Sequence, residues 1–246
     1  MKILADFVNK IYPFTTESIT EYMNKMDMEN KSVLTVGSSI DHALSACLYG
    51  SKDITLIDIS EQTLDYLLYK IDAVHKTNTP SELYRLITSS REFVYDKDEL
   101  FGPFTLKSMC PYMKDEESYQ SLKEKIDNIS IKYVHGSIFD MDNVLGDNKY
   151  DRMILSNVLQ YCNQFRGNIP LRDFIRMNFE QFCRHLNDDG ILQLLYIYGY
   201  GGNVQFDSKG FKLSDIILAL QGYYLDAIIF KTGEKTEDAV LTYTKK

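Results

Sequence analysis

Positive charge is in short supply. Against 35 Asp and Glu there are 27 Lys and Arg, a net charge of −8 in 246 residues. That balance argues against broad binding to a nucleic-acid backbone, and equally against electrostatic attachment to anionic lipid. No apolar run approaches the ~20 residues that a membrane-spanning helix needs, so no stable membrane insertion is expected. Met1 to Lys10 carries Asp6 and Lys10 and no long apolar core, so no secretory signal is read there, and the expected location is cytoplasmic. Cysteine is sparse: Cys47, Cys110, Cys162 and Cys183 are widely spaced without a CxxC pair, which suits a reducing compartment. Cys47 falls on an apolar helix face and reads as packing. His42, His75, His135 and His185 show no HxxxH or HExxH spacing, so no metal site is expected. A GxGxxG fingerprint is missing too, which disfavours a nicotinamide dehydrogenase.

What is present is a strand–turn–helix–strand unit, SVLTVGSSIDHALSACLYGSKDITLIDIS, from Ser32 to Ser60. The apolar run Val33–Val36 ends at Gly37. Ser38 and Ser39 turn the chain into a helix-like stretch, Asp41–Tyr49, and a second apolar run, Ile54–Ile57, ends at Asp58. Gly37 and Asp58 have the spacing, about 20 residues, of a nucleotide-binding βαβ unit. A residue without Cβ lets the backbone approach a ligand. Exposed amides at a helix start favour negative or electron-rich groups. A carboxylate at the next strand tip can accept from both hydroxyls of a ribose. The unit therefore points to a cofactor containing a nucleoside.

Hydrophobic content of 44% and charged content of 25% are ordinary for a globular chain. One domain over residues 1–246 is expected, with residues 1–30 as an N-terminal helical cap. Pro13 splits that cap, and Thr15 or Thr16 can cap its second helix. Strands are expected at Val33–Gly37, Asp53–Ile59, Ile129–His135, Tyr150–Asn157 and Ile191–Tyr198. Helices are expected at Ala43–Tyr49, Glu61–Lys76, Leu171–Leu186 and Leu213–Gln221. In Glu61–Lys76 the helix-spaced residues Leu64, Leu67, Leu68, Ile71 and Val74 suggest the buried face. Residues 77–128 break the alternation. A bare loop of that length is improbable on length alone, so they read as a helical insertion. NDDG at Asn187–Gly190 reads as a turn, and Gly199–Gly210 as a glycine-rich loop. Strands Tyr224–Lys231 and Ala239–Tyr243 are joined by a turn short enough to force an antiparallel pair. The expected fold is α/β and Rossmann-like: a seven-stranded, mostly parallel sheet with a C-terminal antiparallel hairpin.

This pattern resembles the class I S-adenosylmethionine-dependent methyltransferase fold from about Ser32 onward. VLTVGSS stands at its glycine loop, Gly37 matching the first glycine, with Ser39 and Asp41 where further glycines are common. LIDIS places Asp58 at the ribose-binding acid, with Ile59 beside it. VHGSIFDM, with Gly136, Ser137 and Ile138, sits at the adenine-contacting turn, without the acid common there. YDRMILSNVLQYC supplies the fourth strand and the loop after it, with Ser156 at its tip. A closer resemblance is to the diacylglycerol aminocarboxypropyl transferases of betaine-lipid synthesis and their uncharacterised relatives. It is carried by VLTVGSSIDHALSACLYG, LIDISEQTLDYLLYKI and YDRMILSNVL. Ser60-Glu61 replaces the Asn-Pro usual after the acid, and the chain is short for that family.

The resemblance implies S-adenosylmethionine as cofactor, contacted by Gly37, Ser38, Ser39, Asp41, Asp58, Ile59, Ser137, Ile138 and Ser156. It implies methyl transfer to a small-molecule or lipid-like acceptor, with aminocarboxypropyl transfer as the alternative. A non-catalytic binding or scaffold module is a further alternative, suggested by the glycine-poor loop. Bland roles stand beside these. Gly37 can be a turn glycine. Asp58, with Glu61 three residues on, can cap the next helix. Asp41 can favour a helix dipole or pair with the cofactor's ammonium group. Asn157 can turn the chain or orient the acceptor, and Tyr161 can pack or act as a phenolic base. His135 reads as a buried, hydrogen-bonded residue. Tyr196, Tyr198 and Tyr200 alternate and should share one strand face. Phe93, Tyr95, Phe101, Phe104 and Tyr112 suit either an apolar acceptor or packing.

Overall fold

The computed structural model describes residues 11–93, 101–200, 212–233 and 236–246. The chain separates into two compact units, Met1–Ile138 and Phe139–Lys246. Among the described residues seven strands, numbered β1 to β7 along the chain, form a sheet in the order β3-β2-β1-β4-β5-β7-β6.

In the first unit, β1 (Ser32–Val36) is buried along its whole length, and β2 (Asp53–Asp58) at its four central residues. Continuous apolar strands of this kind are covered on both faces, as parallel strands require. β1 pairs with β2 in parallel from Ser32↔Asp53 to Val36↔Ile57, and β2 pairs in parallel with β3 (Ser130–His135), ending at Asp58↔His135. The register therefore brings Gly37 and Asp58 level, one step beyond the last paired residues. Helix α1 (Ile19–Met23) belongs to the N-terminal segment, and Ser18 at its start makes no side-chain cap. Thr15 instead accepts from the Glu17 N–H through its hydroxyl. Helix α2 (Asp41–Leu48) buries seven of its eight residues.

Helix α3 (Gln62–Lys76) differs from expectation in its rotation. It buries Thr63, Tyr66, Leu67, Lys70, Ala73 and Val74, while Leu64 and Leu68 are 39% and 59% exposed. Leu67 and Val74 of the expected face are buried, Leu64 and Leu68 turn outward, and a lysine lies on the inner face.

Within residues 77–128 the helices are α4 (Pro80–Ser89), α5 (Pro103–Met109) and α6 (Glu116–Ile126), with a 3₁₀ turn at Pro111–Met113. Their starts follow local chemistry: Thr79 accepts from the Glu82 N–H, Pro80 and Pro103 occupy first turns, and Asp115 accepts from the Ser118 N–H. Lys125 of α6 donates to the Leu48 carbonyl at 2.6 Å, satisfying an end carbonyl of α2.

In the second unit, α7 (Met141–Leu145) precedes β4 (Tyr150–Ile154), α8 (Cys162–Phe165) follows it, and α9 (Leu171–Arg184) leads into β5 (Leu186–Tyr200). The expected NDDG turn lies inside β5. Tyr150 pairs with Leu186 and Arg152 with Ile191, so the extra residues form a bulge in which Asp189 takes a φ of 59°. The bulge holds because Asp189 N–H donates to the Lys245 carbonyl at 3.0 Å. Helix α10 (Leu213–Ala219), β6 (Asp226–Lys231) and β7 (Glu237–Thr244) follow. β7 runs antiparallel to both β5 and β6, and β4 runs parallel to β5. The expected antiparallel closing hairpin is present. No helix among the described residues is long and apolar enough to cross a membrane.

Candidate cofactor-binding site

The site of the first unit is built at the carboxyl ends of β1 and β2. Gly37 continues the ladder by donating to the Ile57 carbonyl at 3.0 Å. The Asp58 carboxylate lies directly against it. A Cβ on Gly37 would come 2.6 Å from Asp58 Oδ2 and 2.4 Å from Thr63 Cγ2. The glycine is required by this close approach. One carboxylate oxygen of Asp58 accepts from the Ser38 N–H at 3.1 Å and the other from the Ser60 N–H at 2.8 Å. Burial pushes the carboxyl above its usual value, opposed by those two bonds and by Thr63 and Ile59. Asp58 thus fixes both the glycine loop and the turn into α3. Helix α3 itself starts after Glu61 without a side-chain cap, so the expected capping box does not form.

Around Asp58, Gly136 N–H donates to its carbonyl at 2.8 Å, and Tyr133 OH donates to the Ser60 carbonyl at 2.7 Å. His135, expected to be buried, has a side chain 51% exposed beside Glu61, and its Nε2 lies 3.1 Å from the Ile59 carbonyl. It stands at the tip of β3, the end strand of the sheet order. Ser137 is half-buried and Ile138 is buried. Gly37, Ser38, Asp58, Ile59 and Gly136 are therefore brought together.

The loop itself has a glycine-type backbone without the glycines. Ser38 has φ 39° and Ile40 has φ 69°. For a β-branched residue the left-handed region is a true outlier, costing roughly 1–2 kcal/mol. The left-handed positions are 38 and 40, not 39 and 41 where further glycines are common.

Asp41 sits at the foot of this loop and is fully buried. Its Oδ1 accepts from Lys70 Nζ at 2.6 Å and from the Tyr112 hydroxyl, and its Oδ2 accepts from the Thr15 N–H. The carboxylate stands in the first turn of α2, where the helix-dipole reading expects it, and its oxygens are taken up by other groups of the protein. Lys70 spends its other donors on the Ser39 carbonyl at 2.7 Å and the Pro13 carbonyl at 2.8 Å, 4.5 Å above the Phe14 ring. Burial pulls its ammonium below the ordinary lysine value, opposed by Asp41. The Tyr112 phenol is driven well above its usual value by burial and by Asp41. Sequence reasoning missed Lys70, Thr63 and the Tyr112 contact. The signal available for Lys70 was its place, three and four residues from Leu67 and Tyr66, on the alternative apolar face of α3. A second buried cluster joins Glu17, Tyr22 and His42, with His42 Nε2 2.7 Å from the Tyr22 hydroxyl and 3.2 Å from Glu17.

In the second unit, Ser156 lies two residues past the end of β4 and has φ 56°. The Gln193 side-chain amide holds it on both sides, accepting from its N–H at 2.7 Å and donating to its carbonyl at 3.1 Å. Asn157 starts the 3₁₀ turn Val158–Tyr161, accepting from the Gln160 N–H at 2.9 Å; it and Tyr161 are half-buried. Tyr196 is buried and donates to Asp238 at 2.6 Å, whereas Tyr198 is 38% exposed. The Tyr196 and Tyr198 rings stand 4.7 Å apart, as residues sharing a strand face do, and a register shift follows between Ile197 and Tyr200. Phe93 packs against Tyr66 and Tyr69, and Phe104 is exposed. Tyr95, Gly201 and Gly202 lie outside the described residues.

No protein-family profile and no curated protein matches the sequence. Among solved structures, the chain is similar to a methyltransferase from Pyrococcus furiosus, with 14% identity, a TM-score of 0.48, and coverage of 93% of this chain and 82% of that one. It is also similar to magnesium protoporphyrin IX methyltransferase from Synechocystis PCC 6803 with bound SAM, at 10% identity, TM-score 0.45, and coverage of 91% and 74%. An N-methyltransferase from Bradyrhizobium japonicum WM9 in complex with S-adenosyl-l-homocysteine gives 9% identity, TM-score 0.45, and coverage of 91% and 83%. At these identities and scores the likeness decides nothing about chemistry, which has to come from this chain's own residues.

Proposed function

We propose that this chain is an S-adenosylmethionine-dependent transferase that moves a methyl group to a small-molecule or lipid-like acceptor. The carrying observation is the Gly37–Asp58 pair: a carboxylate at a strand tip, level with a glycine that admits no Cβ. Asp58 fits a ribose. It is half-buried, accepts only, and bonds each firm N–H donor through a different oxygen. Thr63 and Ile59 also bond the carboxylate, and the hydroxyls of a ribose would take their places. Ser38 and Ser39 present the loop, and Ile59, Ser137 and Ile138 flank the nucleoside.

The cofactor supplies an electrophilic carbon on its sulfonium, so the chain's own task is holding the acceptor in line and excluding water. Asn157 orients the acceptor and Tyr161 takes its proton or forms the wall beside it. Asp41 holds the loop from beneath rather than meeting the ligand. Product analysis after incubation with S-adenosylmethionine and candidate acceptors tests this. S-adenosylhomocysteine is the expected product. Methylthioadenosine would instead establish aminocarboxypropyl transfer, which the resemblance of LIDISEQTLDYLLYKI favours as second reading. Absence of binding to either sulfur nucleoside, with the protein folded, would leave a scaffold.

A further inference from the structure

The loop between β1 and α2 has to hold Ser38 and Ile40 in a conformation that side chains resist, and it lacks the glycines that would make this easy. Something else must over-determine it. Two pins are present. The Asp58 carboxylate takes the Ser38 N–H, and Lys70 Nζ takes the Ser39 carbonyl at 2.7 Å. The second pin comes from inside the protein, on a side chain with no exposed surface, fixed by Asp41 and by the Pro13 carbonyl. A buried lysine on the inner face of α3 is costly unless its donors are all matched. Here they are matched by the loop, the start of α2 and the N-terminal segment, with Tyr112 and Thr15 completing Asp41.

Resting on the cofactor reading above, we infer that Lys70 is the positioning residue of the cofactor loop. With Asp41 it does the work that glycines do elsewhere, holding Ser38 and Ile40 left-handed so that the loop meets the cofactor. It also ties that loop to Pro13 and Thr15 of the N-terminal segment and to Tyr112 of residues 77–128. Ordering those segments and ordering the cofactor loop are then one event.

The test compares variants that disturb the buried cluster with and without touching the loop. Lys70→Met with Asp41→Asn removes both charges together; the asparagine oxygen can accept from the Thr15 N–H while its amide donates to the Tyr112 hydroxyl, and a cooperative urea transition first establishes that the variant is folded. Tyr112→Phe removes one donor to Asp41 but leaves the Ser39 carbonyl gripped. Calorimetric titration with S-adenosylhomocysteine should show about tenfold or greater loss in the double variant and less than about twofold in Tyr112→Phe. Adding Ser38→Gly to the double variant should restore at least about fivefold, while the same change in the parent gives much less. A lysine with a merely structural role would lower the melting temperature and leave this non-additivity at zero. Equal effects of Ser38→Gly in both backgrounds, or an unchanged affinity in the double variant, overturns the inference. If the parent itself binds no sulfur nucleoside, the transferase reading fails separately. Hydrogen exchange of the loop amides then decides: faster exchange in the double variant upholds the clamp, and unchanged exchange refutes it.

Discussion

Replacing Gly37 with alanine puts a methyl where two side chains already stand. The added Cβ would lie 2.4 Å from Thr63 Cγ2 and 2.6 Å from Asp58 Oδ2. Neither neighbour retreats freely. Thr63 is buried at the first turn of α3, and the Asp58 carboxylate is tied to two backbone N–H groups at 3.1 Å and 2.8 Å. Relief requires the carboxylate to swing away and give up at least one of those bonds. Overpacking costs roughly 1–3 kcal/mol, and a hydrogen bond to a charged group is worth roughly 1.5–3 kcal/mol. The expected loss of stability is therefore about 2.5–6 kcal/mol, read as a lower urea midpoint with an unchanged slope. Cofactor affinity should fall by roughly 1.5–3 kcal/mol as well, because the displaced carboxylate no longer meets the ribose. Thr63→Ser deletes the methyl carbon at 2.4 Å and keeps the hydroxyl. Combined with Gly37→Ala it should regain about 1 kcal/mol of stability but little affinity, since the clash with Asp58 persists. A Gly37→Ala protein within about 0.5 kcal/mol of the parent in both properties would refute the close-approach account.

Two further outcomes are expected. Asp58 titrates in a definite direction: its raised carboxyl value means the native state holds the proton more tightly than the unfolded chain, so its contribution to stability is full at low pH and is lost as pH rises through the folded value. Cofactor affinity runs oppositely, increasing with pH as the accepting carboxylate forms; Asp58→Asn should flatten this profile, and a profile unchanged by that substitution would return Asp58 to a purely structural part. Asn157→Ala and Tyr161→Phe should reduce turnover while leaving cofactor affinity within about twofold, a separation that initial-rate kinetics and titration read directly; equal losses of affinity in both would assign the turn to the cofactor.

Much of this protein was legible in its sequence because the governing interactions are local or periodic. Continuous apolar runs bounded by Gly37 and Asp58 specify buried parallel strands, and a connection too short for a crossover specifies the antiparallel hairpin. Caps were less legible: neither the Thr15 or Thr16 cap nor the Asp58–Glu61 capping box forms. Three things only the tertiary structure decided. The rotation of α3 was undetermined, because QTLDYLLYKIDAVHK offers two apolar faces; the buried one carries Lys70, whose burial is tolerable only where the Ser39 and Pro13 carbonyls and Asp41 converge on it. The NDDG stretch has turn composition, yet strand pairing with β4 and the Lys245 carbonyl draws it into β5 as a bulge. The fate of Asp41 depended on Thr15, Lys70 and Tyr112, which stand 26, 29 and 71 residues away along the chain. Sequence patterns report which residues prefer burial and which turn the chain. They do not report which distant donors will meet a given carboxylate, because that is set by packing once the strands have fixed their register.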